Sequence, residues 1–114
     1  MSTLERLQAW FTRHCDGERE HRYGISIKSC DNPGWWVKIE LIGTPLAKRH
    51  FPAIAERVNS SRFPLGPRWI DCRIEEGIWH GAGDETKLER ILETFLEWAE
   101  RPASTVVAHD PSPP

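Results

Sequence analysis

The 114-residue chain has three cysteines, Cys15, Cys30 and Cys72, an odd number without paired spacing. That excludes a secreted disulfide framework, and the three read as free thiols of a reducing compartment. Long apolar runs are missing as well. Met1 to Phe11 carries Glu5 and Arg6, so neither a signal peptide nor a transmembrane helix is expected; the cytoplasm is the expected address and no membrane partner is foreseen. There is no basic excess: 15 Lys and Arg against 17 Asp and Glu give a net charge of −2. With a pI near 6.2, the chain is not expected to bind nucleic acid. No internal repeat, metal-ligand spacing or phosphate loop is found, so no cofactor, metal or catalytic residue is assigned.

What the chain does have is tryptophan, six in a length that fits one domain and one core. Tryptophan is favoured at interface hot spots, although most of these should be core residues. Two of them open the strongest strand signal, Asp31-Asn32-Pro33-Gly34-Trp35-Trp36-Val37-Lys38-Ile39-Glu40-Leu41. Asn32, Pro33 and Gly34 suit a chain reversal. Beyond it Trp35, Val37, Ile39 and Leu41 fall on one face of a strand, and Trp36, Lys38 and Glu40 on the other.

The remaining elements follow from periodicity. Ser2 and Glu5 have capping-box spacing, and Leu4, Leu7, Trp10 and Phe11 recur at helical intervals up to about His14, which predicts an N-terminal helix. Arg22 to Cys30 alternates and forms a hairpin with Trp35–Leu41. Phe51 to Val58 reads as a third strand, although Ala53, Ala55 and Glu56 would also suit a helix. Asn59 to Pro67 is a loop, the kind of segment that can carry specificity. Arg68 to Glu75 alternates as a fourth strand, and Ile78-Trp79-His80 forms at most a short further one before Gly81-Ala82-Gly83. Asp84 or Thr86 caps the last helix, the latter with Glu89 in capping-box position, and Leu88, Ile91, Leu92, Phe95 and Ala99 mark its buried stripe. These pieces predict an α+β fold: an antiparallel sheet of about four strands with the N-terminal and C-terminal helices packed on one face. Residues 1–101 form the single domain, and the proline-rich stretch 102–114 is expected to be disordered.

If both helices cover one face, the other presents Trp36 and Trp69 among Lys38, Glu40, Asp71, Arg73 and Glu75. Aromatics ringed by charges suit a protein-binding face. The plainer alternatives are that the Asn59–Pro67 loop or the chain around Lys48 covers one tryptophan, or that two copies meet on this face. Asp16, Glu18 and Glu20, in the connector before the sheet, either steer a basic partner or simply solvate a turn at Gly17. An enzyme would need a nucleophile. Cys72-Arg73 offers a sulfurtransferase-like pair, but Cys72 lies between Ile70 and Ile74 on the inward face, where a core thiol is the simpler reading. His21 with Glu20, or His80 near Asp84, lacks a nucleophile to serve.

The order of fragments adds a resemblance. Leu4-Glu5-Arg6-Leu7-Gln8-Ala9-Trp10, Cys15-Asp16-Gly17, Glu20-His21, Tyr23-Gly24, Asp31-Asn32-Pro33-Gly34-Trp35 and Leu88-Glu89-Arg90-Ile91-Leu92 to Trp98-Ala99 occur in an order that resembles the immunity protein 53 family of bacterial polymorphic toxin systems. The resemblance covers about residues 2 to 100, with two departures: Arg19 stands where the family pattern favours tryptophan, and the Asn59–Pro67 loop is longer. It implies a small cytoplasmic antitoxin-like protein that binds and neutralises a toxin domain encoded beside it; separately, the chain is expected to be a monomer or weak homodimer. A binding module with no toxin partner is the nearest non-enzyme alternative.

Overall fold

The computed structural model describes residues 1–31 and 33–102. Helix α1 (Thr3–Arg13) is followed by a short 3-10 turn at Arg19–His21 and the hairpin β1 (Ile25–Cys30) and β2 (Gly34–Glu40). A second 3-10 turn at Pro45–Lys48 leads to β3 (Ile54–Glu56), β4 (Ile70–Glu75), β5 (Ile78–Asp84) and helix α2 (Leu88–Ala99). The strands form one antiparallel sheet in the order β1-β2-β5-β4-β3. This is the expected α+β fold with five strands instead of about four. Asn32 and the stretch 103–114, on which the turn and tail readings partly fall, lie outside the described residues.

The additional strand has a steric cause. Gly81 and Gly83 look like a break in the sequence, yet β5 runs straight through them, paired with β2 on one side and β4 on the other. A Cβ at Gly81 would stand 2.5 Å from Ile91 Cγ2 and 2.6 Å from the Trp79 ring, and one at Gly83 would stand 2.7 Å from Lys87 Cβ. The two glycines therefore mark where α2 lies against the sheet backbone, a close approach that only glycine permits.

Around that contact the inward residues close into one core. Val37, Ile39, Leu41, Ile70, Cys72 and Trp79 come from the sheet, Leu7 and Trp10 from α1, and Ile91, Leu92, Phe95, Leu96 and Trp98 from α2. Its aromatics meet edge to face: Trp79 with Phe95 at 5.3 Å, Trp10 with Phe95 at 5.0 Å, Phe51 with Trp98 at 5.3 Å. Such pairs add about 0.5–1.5 kcal/mol each beyond their burial. Arg6 of α1 pairs with Glu100 just past α2 at 2.7 Å, and Arg49 Nη1 donates to the carbonyls of Trp98 and Arg101 where α2 ends. Lys48-Arg49-His50, a basic piece in the sequence, thus includes the residue that satisfies a helix C-terminus.

Local chemistry moves several boundaries. The Ser2–Glu5 capping box forms as expected. The Thr86–Glu89 box does not: α2 starts at Lys87 without a side-chain cap, and Asp84 instead accepts from the backbone and hydroxyl of Thr86 and from Lys87 Nζ. The carboxylate one turn earlier captures those donors before Thr86 can cap. β1 starts at Ile25, not Arg22, because Arg22 and Tyr23 donate their N–H groups to Arg19 and close the 3-10 turn. β3 is a strand and not a helix, shortened to three residues by the positive φ of Arg57. Arg68, with φ 65°, likewise delays β4 to Ile70.

Two predictions test this packing. Gly81→Ala should destabilise by about 1–3 kcal/mol through overpacking against Ile91 and Trp79, whereas Gly24→Ala, with nothing within 4 Å of the added Cβ, should stay within about 0.5 kcal/mol. Urea unfolding of both variants checks the difference. For Asp84, burial opposes the charge, but Thr86 and Lys87 outweigh it and hold the carboxyl at about 2, below its ordinary 3.8. A depressed carboxyl stabilises the fold above its unfolded pKa and loses that contribution as pH falls from about 4 toward 2. Asp84→Asn should therefore be less stable at neutral pH and lose less stability across that acid range, as followed by unfolding at a series of pH values.

Candidate functional site

The sheet face opposite the helices is assembled from alternate residues of four strands. Register sets its rows: Ser26, Lys38, His80 and Arg73 align across β1, β2, β5 and β4, and Lys28, Trp36, Ala82 and Asp71 form the next row. Trp36 is 39 % exposed. Its ring stacks beside that of His80 at 6.1 Å and 29°, its indole N–H donates to His80 Nδ1 at 3.4 Å, and Lys38 Nζ stands 5.0 Å over it. Ala82 stands in register between Trp36 and Asp71.

His80 is held in the form that can accept this hydrogen bond. Burial, and then the neighbouring Arg73 guanidinium, push its pKa below the ordinary 6.5, so the imidazole is neutral at pH 7 and keeps a bare ring nitrogen. The indole is thereby held by His80 through stacking and a hydrogen bond, and by an ammonium over its ring.

The other predicted residues of this face have different fates. Asp71 is 3 % exposed, covered by Arg62 Nη1 at 3.1 Å and Arg73 Nη1 at 3.1 Å; Arg73 also reaches Glu75 at 3.2 Å. Glu40 accepts from the backbone of Gly24. Trp69 is half-buried and lines a cavity of about 490 Å³ with Pro33, Phe63, Pro64, Gly66 and Pro67. The Asn59–Pro67 loop thus reaches over one edge of the face, pinned by Asn59 Oδ1, which accepts from Ser61 and Phe63, and by the ion pair between Arg62 and Asp71. It leaves Phe63 66 % and Leu65 62 % exposed. Turn residues mark the loop in the sequence but do not single out these two side chains, and only their large size in a turn-rich segment could have flagged them.

The acidic connector is more ordered than its composition suggests. Asp16 accepts from the N–H groups of Glu18 and Arg19, and Glu20 from those of Asp16 and Gly17. Backbone donors lower the pKa of both carboxyls, Arg19 and Glu18 for Asp16, and for Glu20 first its own N–H and then those of Asp16 and Gly17. Glu18 is exposed without such bonds. Between them Arg19 turns inward, buried, and donates to the carbonyls of Glu40 and Ile42, so the connector is fastened to the end of β2. Charged residues rarely go inside, and nothing in the sequence distinguished this arginine from its neighbours.

Cys72 is fully buried on the inward face, and burial, followed by the nearby Asp71 charge, pushes its thiol up to about 12. A persulfide-forming thiolate needs the opposite setting, exposed and electropositive. His80 is committed to Trp36, and Asp84 to Thr86 and Lys87, so that pair does not meet as acid and base. Among the described residues no cluster of three or more His, Cys, Asp or Glu side chains is placed to hold a metal ion, and no helix is long and apolar enough to cross a membrane.

Two helices on one side of a five-stranded antiparallel sheet, with the face around Trp36 covered by neither helix, define a small α+β domain. The chain belongs to the immunity protein 53 family, whose model matches residues 4–100. No curated protein and no solved structure matches it at a significant level.

Thiol chemistry checks the burial pattern. Cys72 is buried, whereas Cys15 and Cys30 are partly exposed. The native protein should therefore give a rapid reaction with a disulfide reagent at Cys15 and Cys30, and Cys72 should react only on unfolding. Rapid reaction of Cys72 in the native protein would contradict the core placement.

Proposed function

We propose that the protein binds and neutralises a toxin domain encoded beside it, using the helix-free sheet face as its main contact surface. The observation that carries this reading is Trp36, held half in and half out of a face that neither helix covers, in a chain of an immunity protein family. Tryptophan is the residue type most often found at the energetic centre of such surfaces, and one already braced by His80 and Lys38 loses little freedom on binding. Arg73, one row away beyond His80, and Glu40, farther along β2 beyond Lys38, form the polar rim, and Asp71 ties Arg73 to Arg62 of the Asn59–Pro67 loop. Phe63 and Leu65 extend the apolar contact, and Trp69 supports them.

Asp16, Glu18 and Glu20 contribute at longer range. Their negative charge at the end of β2 steers a toxin with a basic surface and speeds association without adding much to the final contact. Neutralisation is by binding, whether the toxin's active site is covered or held away from its substrate, and either route works without a cofactor or a catalytic residue of this chain.

Titration of the neighbouring toxin domain into the wild-type protein and Trp36→Ala tests the reading. The variant should bind about 30-fold more weakly or worse, lose protection of growth when co-expressed, and keep its unfolding midpoint within a few degrees because Trp36 is outside the core. Trp69→Ala should instead lower the midpoint, since its ring fills the space under the loop. Unchanged affinity of a folded Trp36→Ala protein would move the interface elsewhere. A wild-type chain that fails to bind the toxin, yet retains a harmless protein from its own cells, would favour a non-toxin binding module.

A further inference from the structure

The two edges of the sheet are built differently. β3 has three residues and passes at once into Arg57, whose φ is 59°, and the loop bridge between Val58 and Pro64, so that edge offers little backbone for pairing. β1 has six residues, no proline and no positive φ, and only one described strand beside it. It is the unguarded edge.

Its free hydrogen-bonding groups can be identified. Glu40 donates to Gly24, and Leu41 donates to Gly77 of the strand on its other side, so the even residues of β2 bond toward β1 and the odd ones toward β5. In an antiparallel ladder direction alternates along the strand. Ser26, Lys28 and Cys30 therefore turn their backbone toward β2, while Ile25, Ile27 and Ser29 aim theirs outward. Ile27 lies on the helix side of the sheet and is still 41 % exposed.

We infer that this edge receives a second copy of the same chain, pairing β1 antiparallel with its own counterpart about a two-fold axis at Ile27. The sequence of the strand is self-complementary in that register. Ile27 faces its counterpart, with Cα atoms about 5.5 Å apart, and Ile25 faces Ser29. On the other face Ser26 stands opposite Lys28, so the two lysines lie on a diagonal and never directly across from each other. Outward-pointing residues meet outward-pointing residues throughout, so each unpaired N–H and C=O finds a partner, and the exposed Ile27 side chains cover one another. A two-fold contact of this kind is isologous and closes at two subunits, joining two five-stranded sheets into one of ten. One strand pair buries little area, so the association is weak and concentration-dependent.

Sedimentation equilibrium of the full chain over a rising concentration series, with amide hydrogen exchange at each concentration, tests the assignment. The mass should climb from 13.2 kDa toward twice that value. The amides of Ile25, Ile27 and Ser29 should gain about tenfold or more in protection as it does so. Ile27→Lys, which sets two ammonium groups face to face without touching the bonds to β2, should stay monomeric at every concentration. A wild-type protein that remains monomeric throughout would overturn the inference. So would a dimer that persists in Ile27→Lys with these amides unprotected, or protection that appears only when toxin is added, which would give the edge to the toxin. Should Ile27→Lys fail to fold, the exchange pattern of the wild-type chain still decides.

Discussion

The fold depends on how closely α2 can approach β5. Gly81 and Gly83 remove the side chains that would stand between helix and sheet, and Ile91, Trp79 and Lys87 occupy that space. Once α2 is seated there, Phe95 meets Trp79 and Trp10, and α1 is drawn to the same side of the sheet. Both helices are then spent on one face. The opposite face is bare as a consequence of packing, and it is the face on which alternation places Trp36.

This explains why some of the protein was legible in its sequence and some was not. Strands with strict alternation, such as Trp35 to Leu41, identify their own inward and outward residues, and the Ser2–Glu5 box declares its helix start. β5 was harder, because glycine weakens a strand on its own and is required here only by a helix that follows it in the chain. The same is true of Arg49, whose role at the end of α2 depends on a segment 49 and 52 residues away. Arg19 is the extreme case: a charged residue in a charged connector that turns inward because carbonyls of Glu40 and Ile42 await it.

The bare face was readable only in outline. Sequence parity put Trp36, Lys38, Asp71 and Arg73 on one side, but not the strand order that sets His80 between Lys38 and Arg73. That order sets His80 and Lys38 against one indole, and it turns Asp71 from an exposed contact into the buried anchor of Arg62 and Arg73. The loop from Asn59 to Pro67 is positioned through the same anchor. Surface chemistry on this face is therefore prepared by groups that themselves stay hidden.

The most direct test is an NMR titration of the labelled chain with the toxin domain proposed as its partner, following the indole N–H signals of the six tryptophans together with the backbone amides. The account predicts that the Trp36 indole and the amides of Lys38, His80, Phe63 and Leu65 shift or broaden first, while the buried Trp79 and Trp98 indoles hold their positions. A cavity of about 380 Å³ lies between the starts of α1 and α2, and shifts confined to its lining residues Leu4, Leu88 and Leu92, with Trp36 unmoved, would contradict the account.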